Sequence, residues 1–412
     1  MAVRVTSEVG PLRRVLVHPP GRELLAVTPE TRATYLYDDI VDVAGATNEH
    51  RQFVAVLERC TEVVSTTDML AEALALAPAR EFLMARTEEV TADHDSRREL
   101  DGLGPDALIA AFVEGWKLRA GPFSAALGRS AYAMPPVPNL LYARDAAMVV
   151  GEQVLIGAMH HGARWPEEVL LRTLVGFHPA FASGRLAYDG ADERRAGFSL
   201  EGGDVHPLRE DLVLIGISER SSAAAVDQVC QLLMEQGPVT DVVAVVLPVG
   251  AHAIHLDMVF TQVDHGLAVA FRPLFAGPLR APVLHRRRGR AQVGQSDDLF
   301  GLLGRLGMPM APIWCGNGDS VHQLREQWAS GCNHLAVGPG QVIAYARNAE
   351  TLRALEAAGL PVVAAAAFLS DPQPHRRSGR FVVALEGGEL VRGGGGPRCM
   401  SCPVSREPLP VD

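Results

Sequence analysis

The spacing of apolar residues divides the chain into one helical stretch and a longer region with a different pattern. Between about residues 66 and 137, apolar positions recur every three or four residues, the period of an amphipathic helix. Asp68 is a candidate N-cap for the first of these helices, and residues 134–138 form a stiff, proline-rich exit. We therefore expect a helical insertion over residues 66–137, set into a main unit formed by residues 1–65 and 138–412.

The main unit alternates short apolar runs with amphipathic helices. Two strands around a turn are predicted in each of four places: residues 147–157, 204–217, 255–271 and 334–344. Helices are predicted at residues 49–59, 166–174, 222–233 and from residue 349, and a further strand at residues 14–18. This recurring unit of strand, turn, strand and helix favours a closed ring of repeats. An ordinary α/β sandwich is the alternative.

Composition and charge narrow the class of protein. The 412 residues carry a formal net charge of −10, the opposite of the balance usual for a nucleic-acid-binding surface. The six cysteines are sparse and mostly isolated, which argues against a disulfide framework. No apolar run approaches the roughly 20 residues of a membrane helix, and no secretion signal begins the sequence. We expect a cytoplasmic protein without nucleic-acid or membrane partners; whether it forms a homo-oligomer is left open.

Near the C-terminus, a run of four glycines precedes a cysteine. Residues 393–396 cannot form a stable helix or strand, so they predict a mobile or tightly folded loop. Cys399 follows this loop, and Arg398 beside it would favour the thiolate. Cys399 and Cys402 also make a Cys-X-X-Cys pair, but neither a thioredoxin-like unit nor a second pair of zinc ligands accompanies it. Taken alone, Cys399 is as much a candidate inert thiol as a nucleophile.

Three acidic residues stand at equivalent edges of successive repeats. Asp145, Glu201 and Asp257 each adjoin a predicted strand pair, and a ring would direct such edges towards one centre. Converging carboxylates need a cation to relieve their repulsion. A metal ion or an organic group could serve. A planar guanidinium suits paired carboxylates well, because its N–H groups form two parallel hydrogen bonds.

A histidine accompanies these acids. His255 and Asp257 are two residues apart on an apparent strand, which would place both on the same face. A histidine beside a carboxylate can act as a general acid and base. The same two residues could also join Asp204 and His206 as ligands of a metal ion.

Two arginines recur at the same offset from the acids. Arg164 lies 19 residues after Asp145, and Arg220 lies 19 residues after Glu201. Each falls between a predicted strand pair and the helix that follows it. An arginine in this place could bind the carboxylate of an amino acid. The recurrence weakens the interpretation of either one as a solvent-facing helix start.

Together these motifs resemble the arginine deiminase family, and the resemblance spans nearly the whole chain. The matching motifs are residues 7–10 (SEVG), 15–18 (VLVH), 37–40 (YDDI), 138–140 (PNL), 144–145 (RD), 201–204 (EGGD), 216–220 (GISER), 255–257 (HLD), 327–328 (QW), 345–348 (YARN) and 398–401 (RCMS). The resemblance implies an α/β fold, a five-bladed αβ-propeller with a helical insertion. It also implies hydrolysis of L-arginine to L-citrulline and ammonia through a covalent amidino-cysteine (thiouronium) intermediate, with neither metal nor cofactor.

The resemblance assigns a role to each candidate residue. Cys399 would be the nucleophile and His255 the general acid and base, with Glu201 steadying His255 and the guanidinium. Asp145 and Asp257 would grip the guanidinium nitrogens. The amino-acid end of the substrate would be held by Asn139, Arg164 and Arg220.

One departure from the family bears on the substrate. Family members often carry an arginine five residues before the cysteine, whereas Gly394 stands there in this chain and Arg392 lies two residues earlier. The expected partner is a small guanidino molecule, with L-arginine the leading candidate. The alternatives are another guanidino compound, conversion of arginine through to ornithine, a metal-dependent ureohydrolase, and a catalytically silent binding module.

Overall fold

The computed structural model describes residues 2–90, 94–119, 121–127, 132–192, 197–278 and 280–409. The helices are α1 (Val43–Glu58), α2 (Thr66–Leu74), α3 (Ala77–Val90), α4 (His94–Asp101), α5 (Pro105–Glu114), α6 (Pro122–Ala126), α7 (Ala143–Ala146), α8 (Trp165–Phe177), α9 (Ala223–Gln236), α10 (Arg272–Phe275), α11 (Leu299–Arg305), α12 (Ser320–Trp328), α13 (Ala349–Ala357), α14 (Ala365–Ser370) and α15 (Gln373–Ser378). No helix within these ranges is long and apolar enough to cross a membrane.

Short strands alternate with the helices. They are β1 (Leu12–Val17), β2 (Glu62–Ser65), β3 (Trp116–Lys117), β4 (Tyr132–Met134), β5 (Ala147–Val150), β6 (Gln153–Ile156), β7 (Arg185–Asp189), β8 (Val205–Arg209), β9 (Leu212–Ile217), β10 (Asp241–Val246), β11 (Phe260–Asp264), β12 (Leu267–Ala270), β13 (Val283–Arg287), β14 (Gly294–Ser296), β15 (Ala311–Trp314), β16 (Leu335–Gly338), β17 (Gln341–Tyr345), β18 (Val362–Ala364), β19 (Phe381–Leu385) and β20 (Cys402–Arg406).

In the described part of the chain, these strands form five sheets of three to five strands and one two-stranded sheet. Their orders are β2-β1-β20, β5-β6-β7, β8-β9-β10-β13-β14, β11-β12-β15, β16-β17-β19-β18 and β3-β4. None of these sheets closes into a barrel, and the five larger ones mix parallel and antiparallel pairs. The α/β architecture expected from the sequence is confirmed.

Each of the five larger sheets contains the same unit. The second strand of an antiparallel pair also pairs in parallel with a strand that comes later in the chain, after at least one helix. Thus β5 and β6 pair antiparallel, α8 follows, and β7 returns parallel to β6. The same holds for β8, β9 and β10 around α9. In the fifth unit the C-terminal strand β20 pairs with β1, so both ends of the chain build one sheet.

The prediction that His255 and Asp257 lie on a strand is wrong. Strand β11 begins only at Phe260, and residues Leu256–Met258 form a turn of 3₁₀-helix. The cause is a side chain that competes for the backbone: the Asp204 carboxylate accepts the Leu256 N–H at 2.8 Å, so this segment bonds to a neighbouring turn rather than to a strand. The two side chains are therefore presented by a turn that precedes the strand.

The first helix also starts earlier than predicted, at Val43 rather than residue 49. Asp42 caps it, since its carboxylate accepts the Gly45 N–H at 2.6 Å and so satisfies one of the free donors of the first turn.

The stretch from residue 66 to 137 is mainly helical, as its periodicity indicates. Helix α2 packs on α5 and α8, and Leu70 and Phe112 are fully buried where these helices meet the main unit. The strands β3 and β4 add a small antiparallel sheet that the sequence did not predict, and Ser65 rather than Asp68 caps α2. The limits of this stretch as a separate insertion stay a prediction.

Helix α1 holds the segment that leads into the glycine run. The Glu49 carboxylate accepts the backbone N–H groups of Gly388, Glu389 and Leu390 at 2.8 to 3.1 Å. Three donors on one half-buried carboxylate fix the entry to residues 393–399, and thus the position of Cys399.

Replacing Glu49 should loosen that segment. We expect Glu49→Ala to lower the free energy of unfolding by about 1–3 kcal/mol, because three backbone donors lose an ionised acceptor. Amide hydrogen exchange at residues 388–390 should accelerate. Urea denaturation and exchange mass spectrometry measure both effects. Glu58→Ala, at an exposed position of the same helix, is the control and should change stability by less than about 0.5 kcal/mol. Equal exchange rates in the two variants would show that Glu49 does not hold the segment.

Candidate active site

Each of the five larger sheets places one polar residue just before the leading strand of its antiparallel pair. These residues are Asp145 before β5, Glu201 before β8, Asp257 before β11, Asn333 before β16 and Cys399 before β20. All five are buried. The repeat thus delivers three acids, an amide and a thiol to one region, where side chains on one unit contact those on the next.

A cavity of about 390 Å³ opens at this region. It is lined by Cys399 and His255 together with Asp145, and by the arginines and the amide predicted for the amino-acid end. Those last three are Asn139, Arg164 and Arg220. Glu201 and Asp257 are fully buried and contact lining residues. All eight residues predicted from the sequence therefore meet in one place.

His255 and Glu201 form a tight pair. The His255 Nε2 lies 2.8 Å from Glu201 Oε2, and its Nδ1 lies 4.0 Å from Asp145 Oδ1. Burial opposes a charged ring, but Asp145 and the bond to Glu201 outweigh it and raise the pKa of His255 to about 9. At neutral pH, His255 is therefore an imidazolium with a proton to give.

Two arginines surround Glu201 and Asp145. The Arg164 Nη1 donates to Asp145 Oδ2 at 2.8 Å and lies 3.5 Å from Glu201 Oε2, while Glu167 accepts from its Nη2 at 2.8 Å. The Arg220 Nη1 approaches Glu201 Oε2 at 3.4 Å. Although burial favours the protonated acid, the hydrogen bond from His255 and the charges of Arg220 and Arg164 hold the pKa of Glu201 well below its usual range.

Asn139 belongs to the same wall of the cavity. Its side-chain amide donates to the Tyr35 backbone carbonyl at 2.7 Å, and its backbone carbonyl accepts from Arg164 Nη2 at 3.3 Å. The N-terminal segment that contains Tyr35 is thereby held against this wall of the cavity.

Two carboxylate oxygens at the site are buried without a hydrogen-bond partner among the described residues. They are Oδ1 of Asp145 and Oδ1 of Asp257. The second oxygen of each acid is held by an arginine, Asp145 by Arg164 and Asp257 by Arg398, both at 2.8 Å. Burying an acceptor without a donor is costly, so this pair of oxygens calls for a ligand with N–H groups to give.

Cys399 sits in a cradle formed by Asn333. The Asn333 Oδ1 accepts the backbone N–H groups of both Arg398 and Cys399 at 3.1 Å, and its Nδ2 lies 3.0 Å from the Cys399 sulfur. The sulfur also lies 3.5 Å from Asp257 Oδ2. Asn333 therefore fixes the backbone and directs a donor at the atom that would carry negative charge.

Arg398 favours the Cys399 thiolate, as expected, but in the free protein other groups outweigh it. Burial, Asp257 and Asp145 raise the pKa of the Cys399 thiol well above its usual range, and Arg398 offsets this only in part. Its guanidinium bridges Asp257 and Glu8. Cys402, the other half of the Cys-X-X-Cys pair, donates to the Ala147 carbonyl and is a free thiol.

The glycine run packs flat against the ring of Tyr142. A Cβ on Gly393 would lie 2.0 Å from the Tyr142 hydroxyl, and one on Gly395 would lie 2.3 Å from its ring. Contacts this short leave no room for any other residue at these two positions. The run therefore forms one wall of the cavity with backbone alone, which lets it pass close to Cys399.

Comparison with known proteins agrees with this geometry. The family model described as arginine deiminase matches residues 122–406. The arginine deiminase of Rhodococcus erythropolis is 33% identical, with 98% of each chain covered, and that of Treponema denticola is 31% identical with 99% of each covered. The chain belongs to the arginine deiminase family. A solved amidinotransferase of saxitoxin biosynthesis from Microseira wollei shares the fold, with a TM-score of 0.57 at 13% identity over 99% of this chain and 98% of that one.

Membership of the arginine deiminase family makes this chain a hydrolase acting on a C–N bond of a linear amidine. The metal-ligand set considered from the sequence does not assemble. Asp204 is occupied by the Leu256 N–H and by the Ser218 hydroxyl, and His206 bonds to the Gly203 carbonyl. Among the described residues, a different trio gathers its ligand atoms within 4.8 Å: Asp145, Glu201 and His255. Arg164 and Arg220 already supply this trio with positive charge.

Sequence reasoning missed Asn333, although a signal was present. It stands directly before the predicted strand pair at residues 334–344, the same place that Asp145, Glu201 and Asp257 hold in their repeats. An amide in this position differs in charge from the three acids, so the pattern of acids alone does not include it. Glu167, which binds Arg164 one helical turn away, was missed because a glutamate at a helix start is an ordinary feature.

The charge on His255 should depend on Glu201. We expect the His255 ring to titrate near pH 9 in the wild type. Its pKa should fall in Glu201→Gln, because less negative charge is then present to offset the effect of burial on the imidazolium. Histidine-selective ¹⁵N NMR over a range of about pH 5 to 10 would follow the titration. An unchanged His255 pKa in the variant would refute the pairing.

Removing the Asn333 amide should destabilise the thiolate form of Cys399. In Asn333→Ala the sulfur loses a donor and two buried N–H groups lose their acceptor, a cost of roughly 1–3 kcal/mol for each lost partner. We expect iodoacetamide to alkylate Cys399 up to about tenfold more slowly in this variant, because a rise of one unit in the pKa of the thiol lowers the thiolate fraction about tenfold. Peptide mass spectrometry reads Cys399 and uses the half-buried Cys60 as an internal control. Equal alkylation of Cys399 in both proteins would remove Asn333 from this role.

Proposed function

We propose that this protein hydrolyses L-arginine to L-citrulline and ammonia through a covalent amidino-cysteine intermediate. The observation that carries the proposal is the pair of unpartnered oxygens on Asp145 and Asp257, buried beside the Cys399 sulfur in a cavity that also holds the His255 imidazolium. Two acids can bind a planar guanidinium through its N–H groups and hold its carbon near the sulfur. The amino-acid end is then left for Asn139, Arg164 and Arg220.

Binding of the cation makes the nucleophile. In the free protein, burial and the two aspartates keep the thiol protonated by raising the pKa of Cys399. A guanidinium between Asp145 and Asp257 neutralises those carboxylates and places a positive charge beside the sulfur. The thiol proton then leaves to solvent, and the Asn333 amide stabilises the thiolate.

The chemistry proceeds in two halves. The Cys399 thiolate attacks the guanidinium carbon, a C–S bond forms, and the C–N bond to one terminal nitrogen breaks as His255 gives it a proton, releasing ammonia. The thiouronium remains on Cys399. His255, now neutral, takes a proton from water, whose oxygen attacks the same carbon. Breaking the C–S bond returns the thiolate and releases the ureido product, whose hydroxyl proton passes to solvent, and Glu201 steadies the imidazolium at both stages.

The architecture supports the same proposal. Each of the five repeats places one residue of the site just before its leading strand, as the blades of a five-bladed αβ-propeller would. Residues 1–65 and 138–412 would then form the catalytic unit, with residues 66–137 inserted into it.

Product analysis tests the proposal directly. We expect the purified protein to convert arginine to citrulline with one ammonia for each citrulline, in the presence of a chelator as well as without it. Acid quenching during turnover should reveal Cys399 carrying the mass of arginine less ammonia. Cys399→Ser should stay folded and lose turnover by a factor of at least about a thousand, because an alcohol is a far weaker nucleophile than a thiolate.

The alternatives give different results in the same assay. Ornithine as product would mean that hydrolysis continues past citrulline. Loss of activity with the chelator would indicate a metal-dependent ureohydrolase, and full activity in Cys399→Ser would contradict the mechanism. No turnover of arginine by the wild type would point to another guanidino compound or to a binding module.

A further inference from the structure

The mouth of the cavity carries an arginine that none of the sequence motifs includes. Arg32 precedes the YDDI motif, in the N-terminal segment that Asn139 ties to the site through Tyr35. It is exposed, and it lines the same cavity as Cys399 and His255. Asp38, a few residues later, lines the cavity as well.

The three arginines of the cavity differ in how their charge is balanced. Arg164 contacts three carboxylates, those of Asp145, Glu167 and Glu201, and is buried. Arg220 lies against Glu201. Arg32 instead donates to a neutral acceptor, the Asp38 backbone carbonyl, at 3.1 Å, and no carboxylate among the described residues lies within ion-pair distance of it. Of the three arginines, Arg32 therefore has the charge that the protein's own carboxylates balance least.

The opposite wall of the mouth has no charge of its own. Gly394 has a φ of +87°, a conformation that side-chain-bearing residues rarely adopt, and a Cβ built there would lie 3.5 Å from Asp38 Oδ2. The glycine run therefore faces the segment of Arg32 and Asp38 directly. Arg392, the arginine nearest in sequence to Gly394, pairs with Asp39 and Glu389 and does not line the cavity.

We propose that Arg32 adds a contact to the substrate carboxylate at the mouth of the cavity, beyond those assigned to Asn139, Arg164 and Arg220, and so selects guanidino compounds that have a carboxylate. This inference rests on the proposed function. With the guanidinium held at Asp145 and Asp257, the far end of an α-amino acid reaches the mouth, where Arg32 offers paired N–H donors and Arg220 lines the wall beside it. Asp38 is placed to meet the ammonium group of the same zwitterion.

The experiment compares Arg32→Gln with Arg392→Gln, a matched exposed arginine from the facing loop. For Arg32→Gln we expect the KM for arginine to rise about tenfold or more with kcat changed less than about threefold, since a charge-assisted hydrogen bond of roughly 1.5–3 kcal/mol is lost. Arginine amide, which keeps the guanidinium and the ammonium but has no carboxylate, serves as a competitive inhibitor. Its inhibition constant should be the same in wild type and Arg32→Gln, and Arg392→Gln should behave as wild type towards both compounds.

Each result decides the role of Arg32. A KM within twofold of wild type in Arg32→Gln would overturn it. So would an equal loss of affinity for arginine and arginine amide, because the arginine would then act on the structure and not on the carboxylate. A rise of KM in Arg392→Gln alone would assign the contact to the other arginine. Failure of the proposed function shows separately: the wild type would then give no citrulline before any variant is compared.

Discussion

The site depends on buried carboxylates whose repulsion is balanced by arginines of the same and of neighbouring repeats. Asp145 and Glu201 share Arg164, Glu201 also meets Arg220, and Asp257 is held by Arg398. Without these contacts, burial would force the acids to take up protons, and they could not attract a cation. The fold gathers them because every repeat sets its polar residue just before a leading strand.

The carboxylates near Cys399 are only partly satisfied by these arginines. One oxygen of Asp145 and one of Asp257 have no donor among the described residues, and burial together with the charge of these acids raises the pKa of the nearby Cys399 thiol and keeps it protonated. A guanidinium supplies both missing elements at once, N–H groups for the oxygens and positive charge beside the sulfur. In the proposed mechanism, binding of the substrate and activation of the nucleophile are therefore one electrostatic event, and a neutral molecule of the same shape would bring no positive charge to the sulfur.

Much of this site could be predicted from the sequence, because the polar residues interrupt apolar runs at recurring places. The eight predicted residues do meet at one cavity. The local geometry could not be predicted. His255 and Asp257 lie on a turn because a distant carboxylate, Asp204, takes the Leu256 N–H, and no periodicity records such a contact. The raised pKa of the Cys399 thiol likewise follows from burial and from acids in other repeats, whereas the sequence showed only the neighbouring Arg398.

A crystal structure of the Cys399→Ala variant soaked with L-arginine is the most direct test of the electrostatic account. The account predicts a guanidinium whose nitrogens lie within hydrogen-bond distance of Oδ1 of Asp145 and Oδ1 of Asp257, with its carbon facing the position vacated by the sulfur. A guanidinium bound elsewhere, or a metal ion between Asp145, Glu201 and His255, would contradict it.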